Sequence, residues 1–343
     1  MVDARFQSKS SSVFRPSGSW AGWHPAGNER CLRIGMKAIV TGGAGFIGSH
    51  LVERLLADGD EVLIIDNFHT GKAENLPKGG NFRLHRGSAG DISSVANGAD
   101  VVFHLGMYSS SPMYKENPRL VGEVVKDAVA VYEIGLKTGC RLVVASTSSI
   151  YNGTPLPWSE DIFPRVTDYY TEARYAVERL GELYWKLHGV GSTALRFFSV
   201  YGEREEGKGR YANTLTQFLW SVMQKQQPVL YGTGEQSRDL TYVKDIVEGL
   251  LLASKRTGGF EVFNLGTGSE TSFNAMVELI CARLGTRMAP KYVDADMTNY
   301  VMRTKADTRK ARERLGFEAR VPVEMGLGII ADYYAGLGGL PRL

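Results

Sequence analysis

A chain of 343 residues, 43% hydrophobic and 22% charged, is long enough to bury a sizeable core as one large or two modest domains, and its composition excludes wholesale disorder. The net charge of +3 resides in residues 1–35, which carry five Lys/Arg against two Asp/Glu; the rest is balanced, which argues against nucleic acid as the principal partner. No apolar run reaches the length of a membrane span, and the three scattered cysteines (Cys31, Cys140, Cys281) lack metal-ligand spacing and fit a reducing, cytoplasmic setting.

In chain order, residues 1–35 are rich in Ser, Gly and Arg without apolar periodicity and read as a flexible N-terminal extension; the same acid-poor composition fits an organelle transit peptide. A strand at 37–41 then runs into Gly42-Gly43-Ala44-Gly45-Phe46-Ile47-Gly48, and Ile47, Leu51 and Leu55 recur at helical spacing over 46–58. Gly43, Gly45 and Gly48 match G-x-G-x-x-G, a pattern that needs glycine for a tight turn, for close backbone approach to a pyrophosphate, and for helix–strand packing. The helix N-terminus offers unpaired N–H groups to phosphate. A second strand, 61–65, ends in Asp66, eighteen residues after Gly48; a carboxylate there accepts from ribose hydroxyls and repels a 2′-phosphate, which points to NAD rather than NADP.

Further strands are expected at 82–85, 101–105, 141–145 and 193–198, with helices at 118–138 and 170–188. This alternation predicts an α/β fold with a Rossmann-type doubly wound parallel sheet over 36–198. Beyond it, helices at 211–225, 243–254 and 272–284 suggest a smaller, partly interleaved C-terminal lobe over 199–343, with a segment near 239–266 returning to the sheet through a strand at 260–265. Tyr170 and Arg174 lie one helical turn apart, on a face distinct from the stripe Ala176, Leu180, Leu183 and Leu187, which reads as the buried one. A cation fixed beside a phenol favours the phenolate and makes a general base for a hydroxyl. Strand 141–145 runs on into Ser146, Thr147, Ser148 and Ser149, whose hydroxyls would sit where a doubly wound sheet binds ligands.

The collinear motifs Thr41–Gly48, Asp66-Asn67, Val102–Leu105, Phe197–Gly202, Gly232–Asp239 and Ala306-Asp307 with Leu315–Phe317 resemble those of the extended short-chain dehydrogenase/reductase family, in its NAD-dependent nucleotide-sugar epimerase and dehydratase branch. The likeness spans roughly residues 36–330. It implies NAD held by Gly42, Gly45, Phe46, Ile47, Gly48, Asp66, Asn67, Leu105, Gly106, Tyr170 and Arg174, with Asp91 offered for the adenine contact. It places Thr147 and Tyr170 on the catalytic Ser/Thr and Tyr, puts Arg174 where the family carries lysine, and sets Ser199 and Arg238 on the nucleotide diphosphate. The Tyr175/Arg179 pair repeats the spacing with poorer flanks.

The resemblance further implies a UDP-sugar substrate and 4-epimerisation through a transient 4-keto sugar, with UDP-glucose and UDP-galactose as the expected pair. Ser148-Ser149 stand where a 4,6-dehydratase carries an Asp-Glu pair, which ranks dehydration low. Another epimerase, a decarboxylase or a reductase of the same family, and a catalytically weak NAD-binding scaffold, stay open as alternatives. A homodimer formed through helices 118–138 and 170–188 is also implied.

Overall fold

The computed structural model describes residues 35–294 and 300–341; the N-terminal extension, Cys31 and Asn299 lie outside them. Alternating strands and helices open the chain: β1 (Lys37–Thr41), α1 (Phe46–Ala57), β2 (Glu61–Asp66), β3 (Phe82–Arg86), α2 (Ile92–Val95), β4 (Val101–His104), α3 (Ser111–Glu116), α4 (Leu120–Thr138), β5 (Arg141–Thr147), α5 (Tyr169–His188) and β6 (Ser192–Phe197). There follow β7 (Val200–Tyr201), α6 (Thr214–Met223), β8 (Val229–Tyr231), β9 (Ser237–Arg238), β10 (Thr241–Tyr242), α7 (Val243–Ser254), β11 (Phe260–Leu265), β12 (Thr271–Ser272), α8 (Phe273–Leu284), β13 (Lys291–Val293) and α9 (Val323–Ala335).

Seven strands form one parallel sheet in the order β11-β6-β5-β4-β1-β2-β3. The side-chain period of two splits β1 between two cores. Ala38 and Val40 pack with Leu51, Leu55, Leu250 and Phe263 beneath α1 and α7. Ile39 faces the other way, with Val102, Leu142, Val131 and Val177 beneath α4 and α5. Both faces are covered, so the strands read as near-continuous apolar runs. A third cluster, including Leu215, Trp220, Met276, Ile280 and Ile330, unites α6, α8 and α9.

Strand order reverses between β1 and β4, and a crevice opens at the carboxyl ends of these neighbours, where doubly wound sheets bind ligands. Among the described residues, no helix is long and apolar enough to cross a membrane. Cys140 and Cys281 are free and buried.

Three helices were not expected, α2, α3 and α9. The last contains Gly326 and Gly328, which lower helix propensity. Glycine is required at 326 because a Cβ there would lie 2.0 Å from the Tyr201 hydroxyl. The expected buried stripe of α5 is also corrected. Its buried residues are Thr171, Ala173, Arg174, Val177, Glu178 and Gly181, whereas Leu183 and Leu187 are exposed. The inward face is small or polar because α5 packs closely: a Cβ on Gly181 would lie 2.7 Å from the Tyr132 hydroxyl and 2.8 Å from the Phe260 ring.

Candidate active site

The crevice is a cleft of about 750 Å³. Its floor is the turn from β1 into α1. Gly42 has φ +71°, and a Cβ on it would stand 2.8 Å from the Gly106 backbone; at Gly48 a Cβ would meet the Gly42 carbonyl at 2.0 Å. Both positions therefore demand glycine. Gly42, Gly45, Phe46, Ile47 and Gly48 line the cleft, and Leu105 and Gly106 form the facing wall from the end of β4. The Thr41 hydroxyl ties the two walls, accepting from the Leu105 and Gly106 N–H groups at 3.1 and 3.0 Å.

Asp66 and Asn67 line the cleft at the end of β2. The Asp66 carboxylate accepts from the Ala44 and Phe68 N–H groups at 2.8 and 2.7 Å; burial nevertheless raises its pKa above the usual carboxylate value. The Gly45 N–H also donates to it, and the remaining acceptor capacity suits a ribose hydroxyl. Asp91, by contrast, does not line the cleft. Its carboxylate turns back to accept from the Ser88 N–H at 3.1 Å and to meet His85 Nε2 at 3.2 Å, closing a capping box over the turn after β3. The structure therefore does not bring Asp91 to the cleft, where the adenine contact was expected: its Oδ2 faces its own turn.

Thr147 ends β5. It is buried, its hydroxyl accepts from the Ser149 N–H at 3.2 Å, and it faces the cleft. Asp168 starts α5 with a capping box: its Oδ1 accepts from the Thr171 N–H at 2.8 Å. This fixes the first turn, from which Tyr170 enters the cleft. The Arg174 guanidinium carbon lies 5.3 Å from the Tyr170 ring centroid. Arg174 Nη2 donates to the Tyr108 carbonyl at 2.6 Å, whereas the buried Nε and Nη1 have no hydrogen-bond partner in the structure.

Two other phenols of this wall are less suited to proton removal. Burial pushes Tyr114 up to about 12, and burial together with Glu123 does the same to Tyr108. His104, fully buried behind Thr41, is pushed down to about 3 by burial and then by the Arg174 charge, so it stays neutral.

Across the cleft, Ser199 and Arg238 complete the lining. Arg238 donates to the Ser237 and Met302 carbonyls at 2.8 and 3.3 Å and lies 5.0 and 5.5 Å from the Phe273 and Tyr300 ring centroids; burial lowers its pKa. Asp127 and Lys208, neither of them named from the sequence, also line the cleft. Lys208 reaches the cleft, held by the buried Glu205 at 2.8 Å. The Tyr175/Arg179 pair lies outside the cleft, on the outer groove of α5.

The residues present fit a dinucleotide: a glycine floor that no side chain could share, a carboxylate at the ribose position, and an arginine with two unpaired buried nitrogens at the far end. Fold and cleft together define a nicotinamide-dinucleotide enzyme of the doubly wound class. Residues 38–266 match the NAD dependent epimerase/dehydratase family, and the chain belongs to it. Its cofactor is NAD and its substrates are nucleotide sugars.

Among relatives, a putative UDP-glucose 4-epimerase of Methanocaldococcus jannaschii is 32% identical over 86% of this chain and 97% of its own length. UDP-glucuronic acid decarboxylase 1 of Xenopus tropicalis is 31% identical over 87% and 72%. MoeE5, solved with UDP-glucose and NAD and again with UDP-glucuronic acid and NAD, is 33% identical, with TM-scores of 0.77 and 0.78 over 87% of this chain and 98% and 99% of that one.

Proposed function

We propose that this protein is a UDP-hexose 4-epimerase that interconverts UDP-glucose and UDP-galactose. The observation that carries the reading is the convergence of Thr147, Tyr170 and Arg174 on one cleft with the glycine floor and Arg238. Tyr170, as phenolate, takes the proton of the sugar 4-hydroxyl, and Thr147 hydrogen-bonds the same oxygen and relays the proton. Arg174 stabilises the phenolate through its charge and offers Nε and Nη1 to the nicotinamide ribose hydroxyls, the work of the family lysine. Arg238 and Ser199 hold the diphosphate, which leaves the 4-keto sugar free to turn between its two faces. NAD, when bound, supplies a reversible hydride acceptor at C4, so the overall reaction has no net redox change.

A second reading, action on a UDP-uronate, is favoured by MoeE5, which has been solved with UDP-glucuronic acid. One experiment separates these readings from a non-catalytic NAD-binding scaffold. The purified protein is incubated with UDP-glucose, UDP-glucuronate, and GDP- and dTDP-sugars without added cofactor, and the products are separated by chromatography. The expected result is UDP-galactose from UDP-glucose. Turnover of the uronate alone would select the second reading, and no turnover with NAD retained would select the scaffold.

A homodimer is part of the proposal. The outer groove of α4 and α5 is lined mostly by apolar side chains, among them Val125, Phe163, Val166, Leu180 and Leu183, with Glu172 and Arg179 also on it and Phe163 76% exposed. A second copy laying the same two helices against it would cover it. Light scattering that finds a monomer at working concentration would remove this part.

A further inference from the structure

The cleft has an end remote from Tyr170, beyond Asp66, where Gly87, Ser88 and Ala89 form the floor. With the diphosphate at the α1 N-terminus, the adenosine ribose at Asp66 and the nicotinamide ribose at Arg174, this end receives the adenine. That base presents one exocyclic donor, its 6-amino group, which needs an acceptor if it is desolvated. The local turn brings no side-chain carboxylate to the cleft, because Asp91 faces away from it, towards Ser88 and His85.

A carboxylate arrives from elsewhere. Asp127, in the middle of α4, leans over the turn and lines the cleft. Its Oδ1 accepts from the Ser88 hydroxyl at 3.3 Å, and it also takes a hydrogen bond from the Gly90 backbone. Residue 90 must be small for this approach, since a Cβ there would stand 2.6 Å from the same Oδ1. An ionised carboxylate offers about four lone-pair sites and no donor, so acceptor capacity is left over towards the cleft.

We propose that Asp127 is the acceptor for the adenine 6-amino group of NAD, a specificity residue supplied by α4 in place of the turn after β3. It rests on the cofactor placement given above. Because a carboxylate only accepts, it rejects a base with a carbonyl at that position, such as hypoxanthine or guanine.

The test reads binding rather than activity. The purified protein is equilibrated with an equimolar mixture of NAD and nicotinamide hypoxanthine dinucleotide, and the ratio released on denaturation is measured by chromatography. Wild type is expected to hold NAD over the analogue by about tenfold or more. Asp127→Ala brings that ratio to within about threefold of unity, and Asp127→Asn, whose amide can turn to donate, levels or inverts it. The asparagine variant keeps the side-chain shape, so it decides the matter if the alanine variant does not fold. An unchanged preference in the variants, or no preference in wild type, overturns the proposal. Failure of wild type to hold either dinucleotide would instead sink the cofactor placement.

Discussion

One turn of α5 separates two buried polar groups with opposite hydrogen-bond balances. Glu178 and Arg196 are each only 4% exposed, and their network is complete. Glu178 accepts from Ser146 Oγ at 2.5 Å and from Arg196 Nε and Nη2 at 2.9 and 2.6 Å; Arg196 Nη1 donates to the Tyr151 hydroxyl, which donates to Asn264. Arg174, on the same face, makes one hydrogen bond and leaves two nitrogens bare. A satisfied buried ion pair ties helix to sheet. An unsatisfied buried cation at a cleft is held in readiness for a ligand, and it lowers the stability of the empty protein. The contrast separates structural from functional polarity within six ångströms of helix rise.

Substitutions sharpen this contrast in order of expected size. Glu178→Ala strands Arg196 in the interior and should cost about 3–5 kcal/mol in chemical denaturation; a loss under 1 kcal/mol would make the network ornamental. Arg174→Met should do the reverse. It removes bare donors, so the cofactor-free protein should denature at equal or higher denaturant, while kcat falls by about 100-fold as the phenolate loses its cation. A large stability loss with unchanged kcat would exchange the two roles. Arg174→Lys restores the charge and some donors, and kcat should stay within about tenfold of wild type. The smallest effect is expected on the outer face: Leu187→Ser, at a residue 70% exposed, should change monomer stability by no more than about 0.5 kcal/mol.

How much of this was legible in the sequence depended on whether a feature is local. The glycine turn, Asp66 and the main strands follow from short-range patterns: β1 and β11 were expected at the positions observed, and α1 within a residue. Tyr170 and Arg174 share a cleft with Thr147, as their motifs implied. The α5 stripe was misread because leucines at helical spacing imply burial, whereas this face must fit Tyr132 and Phe260 and so is built of Gly181, Ala173 and Val177. Asp127 was missed for a related reason. On sequence it is a charged residue in a solvated helix, and only the packing of α4 over the turn at 87–91 brings it to the cleft. The commitment of Asp91 to Ser88 was readable in part, since Ser followed three residues later by Asp is spaced as a capping pair.

The central claim is that the Tyr170 oxygen removes the proton from the sugar hydroxyl. It is tested most directly by comparing Tyr170→Phe with wild type for conversion of UDP-glucose, with retained NAD measured in the same samples. A fall in kcat of about 1,000-fold with NAD retention unchanged is expected; turnover within twofold of wild type would contradict it.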